Sequence, residues 1–217
     1  MRGKRIVINI LNFFWLFLMP MFTFGEDMPR YPETIAVLRE LYKCEITACK
    51  IYSAFAQKAL EEKCGSVERL FQALRKAESI HARNFENLLT ALGNAIGEVP
   101  ESDIKMGRTK NNLRYALDVE LSEIDMRYPE YIERVKKEGN EEAIRDITYA
   151  WKAEMQHRDL IKKMQSAIGL FFGKIVQKLK GADRYFVCQR CGATLFEIPK
   201  DTCIICSSPV SKYEEMK

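Results

Sequence analysis

Two short stretches of the chain place a glutamate three residues before a histidine. They are Glu78-Ser79-Ile80-His81 and Glu154-Met155-Gln156-His157, and they contain both histidines of the protein. Three residues is most of one helical turn, so on a helix each Glu and its His project from the same face. A carboxylate and an imidazole placed in this way can bind one metal ion together.

The neighbouring residues indicate that this face points inward. Apolar residues recur at steps of three or four around both motifs, for example Leu74 and Phe85 around the first, and Ile147 and Ile161 around the second. Each Glu and His therefore occupies an inward position of an apolar stripe. An unpaired charge is costly there.

Two further helical stretches also place carboxylates inside. Glu45 interrupts an apolar stripe that continues to Tyr52, and Glu120 interrupts one that continues to Tyr128. Glu123 lies one turn after Glu120 on the same side. The inward polar set of the four helices is Glu45, Glu78, His81, Glu120, Glu123, Glu154 and His157.

Five inward carboxylates require compensating positive charge. Any one of them could be a solvated surface residue, but an uncompensated buried carboxylate costs several kcal/mol. Five would exceed the roughly 5–15 kcal/mol that stabilises a whole domain. The inward stripes hold no Lys or Arg at this level, so metal cations are the expected partners. Oxygen-rich ligation with one imidazole per metal favours iron or manganese over structural zinc. Two Glu plus two Glu-x-x-His is the pattern of di-iron and di-manganese carboxylate bundles.

The fifth carboxylate suggests a role in redox change. Two ferrous ions carry a charge of +4 and two ferric ions +6, so four carboxylates balance the reduced pair and a fifth favours the oxidised pair. We therefore hypothesise that Glu123 changes its coordination with redox state.

The helical part of the chain is predicted to be an all-α four-helix bundle over residues 33–169. The helices are expected to begin near Pro32, Ser66, Thr109 and Asn140. Pro129 is expected to kink the third helix. A short linker helix is expected over residues 170–183, ahead of a small cysteine-containing module.

Residues 1–25 differ in composition from the rest. Three basic residues precede the uncharged run Ile6–Phe24, and Thr23 and Gly25 are small enough for a cleavage site. This is typical of a secretory signal peptide, and the run is also long enough for an uncleaved membrane anchor. Either predicts an exported, periplasmic protein. The leader carries three of the net positive charges, so the rest of the chain has 4 − 3 = +1, and no nucleic-acid surface is indicated.

Residues 184–217 contain Cys188-Gln-Arg-Cys191 and Cys203-Ile-Ile-Cys206. Four thiolates at this spacing predict a tetrahedral site, and the spacing leaves both iron and zinc open. The remaining cysteines are expected to be structural and buried. They are Cys44, Cys49 and Cys64.

In this order, the bundle, the carboxylate set and the terminal four-cysteine module resemble the rubrerythrin family over about residues 33–216. On the first helix, Glu45 is followed by Ala48 and Tyr52 as in the family. The two Glu-x-x-His motifs match its second and fourth helices. The third-helix pattern is Glu120-x-x-Glu123 followed by Tyr128-Pro129, and the segment from Tyr185 to Pro209 looks like the rubredoxin-type tail. The departures are Ala193, Ile204 and Ser207, where the family usually has Tyr, Pro and Gly; they leave the potential and the metal of the cysteine site open.

The resemblance implies a ferritin-like di-iron bundle with a rubredoxin-like domain. It also implies a peroxidase that reduces hydrogen peroxide to water, with two non-haem irons in the bundle and one iron, or zinc, on the cysteines. Glu123, Tyr52 and Tyr128 would be the catalytic or proton-handling groups. Electrons would pass from the cysteine site one at a time, between subunits of a head-to-tail homodimer or larger oligomer. Because soluble NAD(P)H is absent outside the cytoplasm, a periplasmic cytochrome or a membrane-linked reductant is the expected donor.

Two alternatives use the same residues. A ferroxidase or iron-handling bundle would react with dioxygen and accumulate iron. A non-enzymatic metal-binding bundle would carry a zinc-ribbon tail for docking. Metal analysis separates the second alternative from the others, and preference for peroxide or dioxygen separates the first from a peroxidase.

Overall fold

The computed structural model describes residues 30–99, 104–170 and 184–216. The predicted leader lies outside the described residues, as does the predicted linker helix beyond residue 170. Within the described ranges, no helix is both long enough and apolar enough to cross a membrane.

The helices pack as a bundle whose third member is interrupted. Their bounds are α1 Pro32–Glu61, α2 Gly65–Ala91, α3 Thr109–Ser122, α4 Tyr128–Lys136 and α5 Glu141–Leu170. A π-helical turn, Glu123–Arg127, connects α3 to α4, so these three pieces form the third long helix of the bundle. The predicted fold class, a ferritin-like bundle with a small cysteine module, is confirmed.

Local sequence signals explain where the helices begin. Pro32 lies in the first turn of α1, where its missing amide hydrogen costs no helical hydrogen bond. The side chain of Asn140 accepts a hydrogen bond from the Ala143 amide at 3.0 Å and so caps α5. Gly139, just before it, has a φ of +69°, a conformation that favours glycine.

A π turn ends two residues before Pro129, where the sequence predicts a kink. Proline has no amide hydrogen to donate to the carbonyl one turn earlier, so a regular α-helix cannot pass through this position unchanged. The indole of Trp151 on α5 donates to the Ile124 carbonyl at 3.0 Å and holds the π turn against the bundle. Single π turns inside α-helices are frequent at functional sites.

Two apolar clusters fill the bundle, and the polar set lies between them. One cluster contains Phe55, Phe71 and Leu113, while the other contains Leu38, Phe85 and Ile147. Along every helix the inward glutamates and histidines stand between members of the two clusters. The polar residues therefore share one level of the bundle, as the sequence predicts.

The cysteine module is a three-stranded antiparallel sheet that packs against the bundle. Its strands are β1 Tyr185–Cys188, β2 Thr194–Leu195 and β3 Tyr213–Met216, in the order β2-β1-β3. Tyr185 and Val187 of β1 are fully buried and join the same apolar cluster as Phe71 of α2. A module of this size buries too little surface to be stable alone, and the bundle supplies the missing contacts.

Replacing Leu70 by alanine tests the packing of the bundle. Leu70 is fully buried, and we expect Leu70→Ala to lower the free energy of unfolding by about 2–5 kcal/mol. Leu60 is 57% exposed, so the matched change Leu60→Ala should lower it by less than about 0.5 kcal/mol. Urea unfolding of the metal-free protein measures both, and equal losses would contradict the described core.

Candidate metal centre

Six buried side chains from four helices converge on two overlapping metal-binding groups. The first group consists of Glu45, Glu78, His81 and Glu154, and the second of Glu78, Glu120, Glu154 and His157. Within each group the ligand atoms all lie within 4.8 Å of one another. Glu78 and Glu154 belong to both groups, as expected of carboxylates that bridge two metal ions. We call these six residues the dinuclear site.

The two histidines have the same orientation. Nδ1 of His81 lies 3.0 Å from Glu78 Oε2 and 3.1 Å from Glu154 Oε1. Nδ1 of His157 lies 2.8 Å from the other oxygen of Glu154 and 3.3 Å from the other oxygen of Glu78. Both imidazoles therefore face the shared carboxylates with Nδ1 and leave Nε2 for a partner outside the site.

Several buried atoms of the site are aimed at one another without forming hydrogen bonds. In the described part of the chain, Glu78 Oε2, His81 Nδ1, Glu120 Oε2 and Glu154 Oε1 have no hydrogen-bond partner. Such atoms are rare in folded proteins, because each costs its full desolvation free energy. Oxygen and imidazole donors converging in two sets of four fit two metal ions of the iron or manganese class.

In the metal-free site, burial and crowding also shift the pKa values of several glutamates and both histidines. Burial raises the pKa of Glu45 to about 7 and holds that of Glu120 well above its usual range. Burial alone would lower the pKa of His81, but the close approach of the Glu154, Glu45 and Glu78 carboxylates raises it well above 6.5. Protons therefore supply part of the positive charge that the carboxylates need when metal is absent.

The two predicted tyrosines hold the carboxylates that are not shared. Tyr52 donates its hydroxyl hydrogen to Glu120 Oε1, and Tyr128 donates its own to Glu45 Oε1, both at 2.6 Å. Each of these bonds links two helices, since Tyr52 and Glu45 lie on α1. Bonds of this kind fix the orientation of ligating carboxylates.

Glu123 stands apart from the other predicted ligands. It belongs to neither metal-binding group, and its Oε1 accepts a hydrogen bond from Arg127 at 2.9 Å. Its carboxylate is at the wall of a cavity of about 360 Å³ that Tyr52 also lines. In the metal-free protein, burial and then the charge of Glu45 raise its pKa well above the usual range, while the positive charge of Arg127 acts in the opposite direction and favours the carboxylate.

The four cysteines form a second site. The Sγ atoms of Cys191 and Cys203 are 3.6 Å apart, and those of Cys188 and Cys206 are 3.8 Å apart. A tetrahedral ion with bonds of about 2.3 Å separates its ligands by about 3.8 Å, so the four sulfurs fit one zinc or iron ion. Contacts with the Cys188 and Cys191 sulfurs lower the pKa of Cys206 to about 6, which favours a thiolate there. We call these four residues the cysteine site.

Ser207 adopts a left-handed backbone conformation at the position where the family usually has glycine. Its φ is +57°, and its amide donates to the Cys203 carbonyl at 2.9 Å. The left-handed conformation costs a residue with a Cβ roughly 1 kcal/mol. The hydroxyl of Tyr213 also donates to the Cys203 sulfur at 3.2 Å, and bonds to sulfur tune the potential of a thiolate-bound iron.

Both histidines of the dinuclear site contact the cysteine module of the same chain. His81 Nε2 is 3.1 Å from the Cys191 carbonyl oxygen, and His157 Nε2 is 3.3 Å from the Thr194 hydroxyl. The Thr194 hydroxyl donates to the Gly192 carbonyl at 2.9 Å, so it can accept from His157. With hydrogen on Nε2, each Nδ1 is left free to bind metal.

Polar contacts hold the module in this position. Asn84, one turn after His81, donates to the Arg190 carbonyl at 2.8 Å. The guanidinium of Arg190 pairs with Asp146 on α5 at 2.8 Å, and Asp146 is only 7% exposed. An ion pair with a buried partner is costly to break on one side only.

The comparisons with known proteins agree with this geometry. The sequence profile of the family described as Rubrerythrin matches residues 37–165, more than half of the chain. This chain belongs to the rubrerythrin family. It is 27% identical over 191 residues to Rubrerythrin-2 of Clostridium acetobutylicum, covering 83% of this chain and 95% of that protein. Structures of nigerythrin in a mixed-valence state and in a partially reduced state superpose with TM-scores of 0.72 and 0.70. Both are 25% identical and cover 84% of this chain and 86% of theirs.

Sequence reasoning did not predict several residues that contribute to the site of this rubrerythrin-family protein. Arg127 could have been found, because it lies four residues after Glu123, the spacing of a helical ion pair. Asn84, Asp146 and Thr194 give no such signal. Their partners lie 37 to 106 residues away along the chain.

Metal analysis of two glutamine variants tests the sharing of ligands. Glu45 belongs to one metal-binding group and Glu78 to both. We expect Glu45→Gln to weaken binding of one metal ion in the bundle and Glu78→Gln to weaken binding of both, because a shared oxygen donor is lost from each site. The cysteine site, retained in both variants, is the internal control. Equal losses in the two variants would contradict the bridging role of Glu78.

Alanine at Gly192 tests the contact between module and bundle. A Cβ there would lie 2.3 Å from His81 Nε2, and the residue has a φ of +76°. We expect Gly192→Ala to displace the module and to speed hydrogen exchange of the β1 amides, with metal still bound by the cysteines. Gly139→Ala is the matched control, because its φ is +69° and no atom lies within 4 Å of its Cβ. Gly139→Ala should lower the free energy of unfolding only by the cost of the backbone conformation, about 1–2 kcal/mol. Equal hydrogen exchange of the β1 amides in the two variants would refute the contact between Gly192 and His81.

Proposed function

We propose that this protein is a non-haem di-iron peroxidase that reduces hydrogen peroxide to water and protects against oxidative stress. The observation that carries the proposal is the hydrogen-bond distance of 3.1 Å between His81 of the dinuclear site and the Cys191 carbonyl of the cysteine site. A bundle that only stores iron has no need of a thiolate-bound metal next to its ligands. A docking tail has no need to contact a metal ligand.

The overall reaction consumes two electrons and two protons, since H2O2 + 2e⁻ + 2H⁺ gives 2H2O. A ferrous pair, when bound, supplies both electrons together to the O–O bond. The chain supplies the surroundings: Glu123 lines a cavity next to the dinuclear site, and its carboxyl can exchange protons with a molecule held there. Tyr52 and Tyr128 hold Glu120 and Glu45 in place and can relay protons through the same bonds.

One residue connects the two sites. Cys191 offers its sulfur to the cysteine site and its carbonyl to His81 Nε2, so a single hydrogen bond separates the two ligand sets. This contact supports a relay that returns electrons one at a time from an iron on the cysteines. In this structure the contact lies within one chain. We also propose a head-to-tail homodimer, in which the corresponding contact would be made between two subunits.

The basic and apolar leader supports export, and we include a periplasmic location in the proposal. Outside the cytoplasm the electron donor would be a cytochrome or a membrane-linked reductant. Such a donor would reach the cysteine site at its exposed side, where Ile204 beside Cys203 is 66% exposed.

Rapid mixing of the reduced protein with peroxide tests the proposed reaction. The protein is loaded with iron without oxygen, reduced, and mixed with one equivalent of hydrogen peroxide. We expect fast oxidation of the dinuclear iron and appearance of the ferric-thiolate colour on the same time course. The same experiment with dioxygen should be much slower.

One control and two alternative outcomes make the result specific. The thiols of Cys44, Cys49 and Cys64 are half-buried rather than fully buried and could consume peroxide themselves, so the variant with all three replaced by serine should react at the same rate. Preference for dioxygen with accumulation of extra iron would favour the ferroxidase alternative. Zinc on the cysteines, silent in the reaction, would favour the docking alternative.

A further inference from the structure

Glu123 is retained at the cavity wall by one guanidinium. Arg127 Nη1 is 2.9 Å from Glu123 Oε1 and 3.2 Å from the Cys44 sulfur. Cys44 directly precedes Glu45 on α1, whereas Arg127 ends the π turn. The arginine therefore joins two helices of the bundle beside the dinuclear site without contributing a ligand to it.

The π turn fixes where this arginine stands. The Trp151 indole holds the Ile124 carbonyl from α5, and Tyr128, next to Arg127, bonds to Glu45. The chain is thus anchored directly after Glu123, at Ile124, and directly after Arg127, at Tyr128. The Glu123 side chain is 16% exposed and that of Arg127 39%, so the pair is partly shielded from water.

Glu123 has two competing sources of positive charge. The four carboxylates of the dinuclear site balance two divalent ions, and an oxidised pair attracts a further carboxylate. Arg127 attracts the same carboxylate toward the cavity. A charge-assisted hydrogen bond can shift an equilibrium by roughly tenfold or more when it is buried, and by less when one partner is as exposed as Arg127.

We propose that Arg127 is a positioning residue that holds the Glu123 carboxylate at the cavity wall and so limits its entry into the dinuclear site. The proposal rests on the dinuclear metal site of the proposed function, and not on the reaction with peroxide. Removal of Arg127 leaves Glu123 free to join the ligand set. The bound metals then gain a fifth carboxylate.

The test measures metal binding and redox equilibrium in Arg127→Met, without peroxide. In the iron-loaded protein we expect the dinuclear site to favour its ferric state by roughly threefold to tenfold, with the cysteine-site potential unchanged as an internal reference. In the cobalt-loaded protein we expect tighter binding and a changed ligand-field spectrum. Arg127→Lys keeps the charge but loses the planar fork, so its shifts should be smaller and in the same direction.

Two controls separate position from charge. Lys43 lines the same cavity, so Lys43→Met removes a nearby positive charge while the Glu123–Arg127 pair stays intact; it should leave both equilibria near the wild-type values. In a Glu123→Gln background, Arg127→Met and Arg127→Lys should have no further effect. Equal shifts in Lys43→Met, or shifts that persist in the Glu123→Gln background, would overturn the proposal. Failure of peroxide reduction would change neither readout, so the two proposals fail separately.

Discussion

The structure depends on the burial of four glutamates at one level of a helical bundle. Glu45, Glu78, Glu120 and Glu154 are each at most 2% exposed. Four negative charges so close together would be prohibitive without cations. The rest of the site is arranged around this constraint: two histidines complete the donor sets, and two tyrosine hydroxyls hold the carboxylates that are not shared. The apolar clusters on either side keep water from this level.

The cysteine module also helps to orient the ligands of the dinuclear site. Because His81 and His157 turn Nδ1 toward the carboxylates, each needs a partner for Nε2, and the module provides the Cys191 carbonyl and the Thr194 hydroxyl. The close approach requires Gly192, whose missing side chain leaves room for the His81 ring. The position of the module and the orientation of the two histidine ligands are therefore linked by these contacts.

Helical periodicity explains which residues of the dinuclear site could be predicted from the sequence. A carboxylate inside an apolar stripe is detectable from local spacing, and this identified Glu45 and Glu120 as readily as the two Glu-x-x-His motifs. The position of Glu123 could not be read in the same way. Its spacing places it beside Glu120, but Arg127 and the π turn decide that it faces the cavity in this structure.

Contacts between distant parts of the chain were beyond local patterns. The spacing of the cysteines predicts a tetrahedral site, and the short length of the module indicates that it is too small to be stable alone. Neither says which surface the module covers. That choice follows from shape and charge together, through the fit of Gly192 over His81 and the pairing of Arg190 with the buried Asp146. Such long-range complementarity has no period in the sequence.

Anomalous diffraction from crystals of the iron-loaded protein, measured on both sides of the iron absorption edge, tests the account most directly. Two iron peaks between Glu78 and Glu154, with a third among the four cysteine sulfurs on the far side of His81, are the predicted result. A bundle without bound metal, or a single ion that leaves one of the two carboxylate groups empty, would contradict the claim that paired metals make this buried charge tolerable.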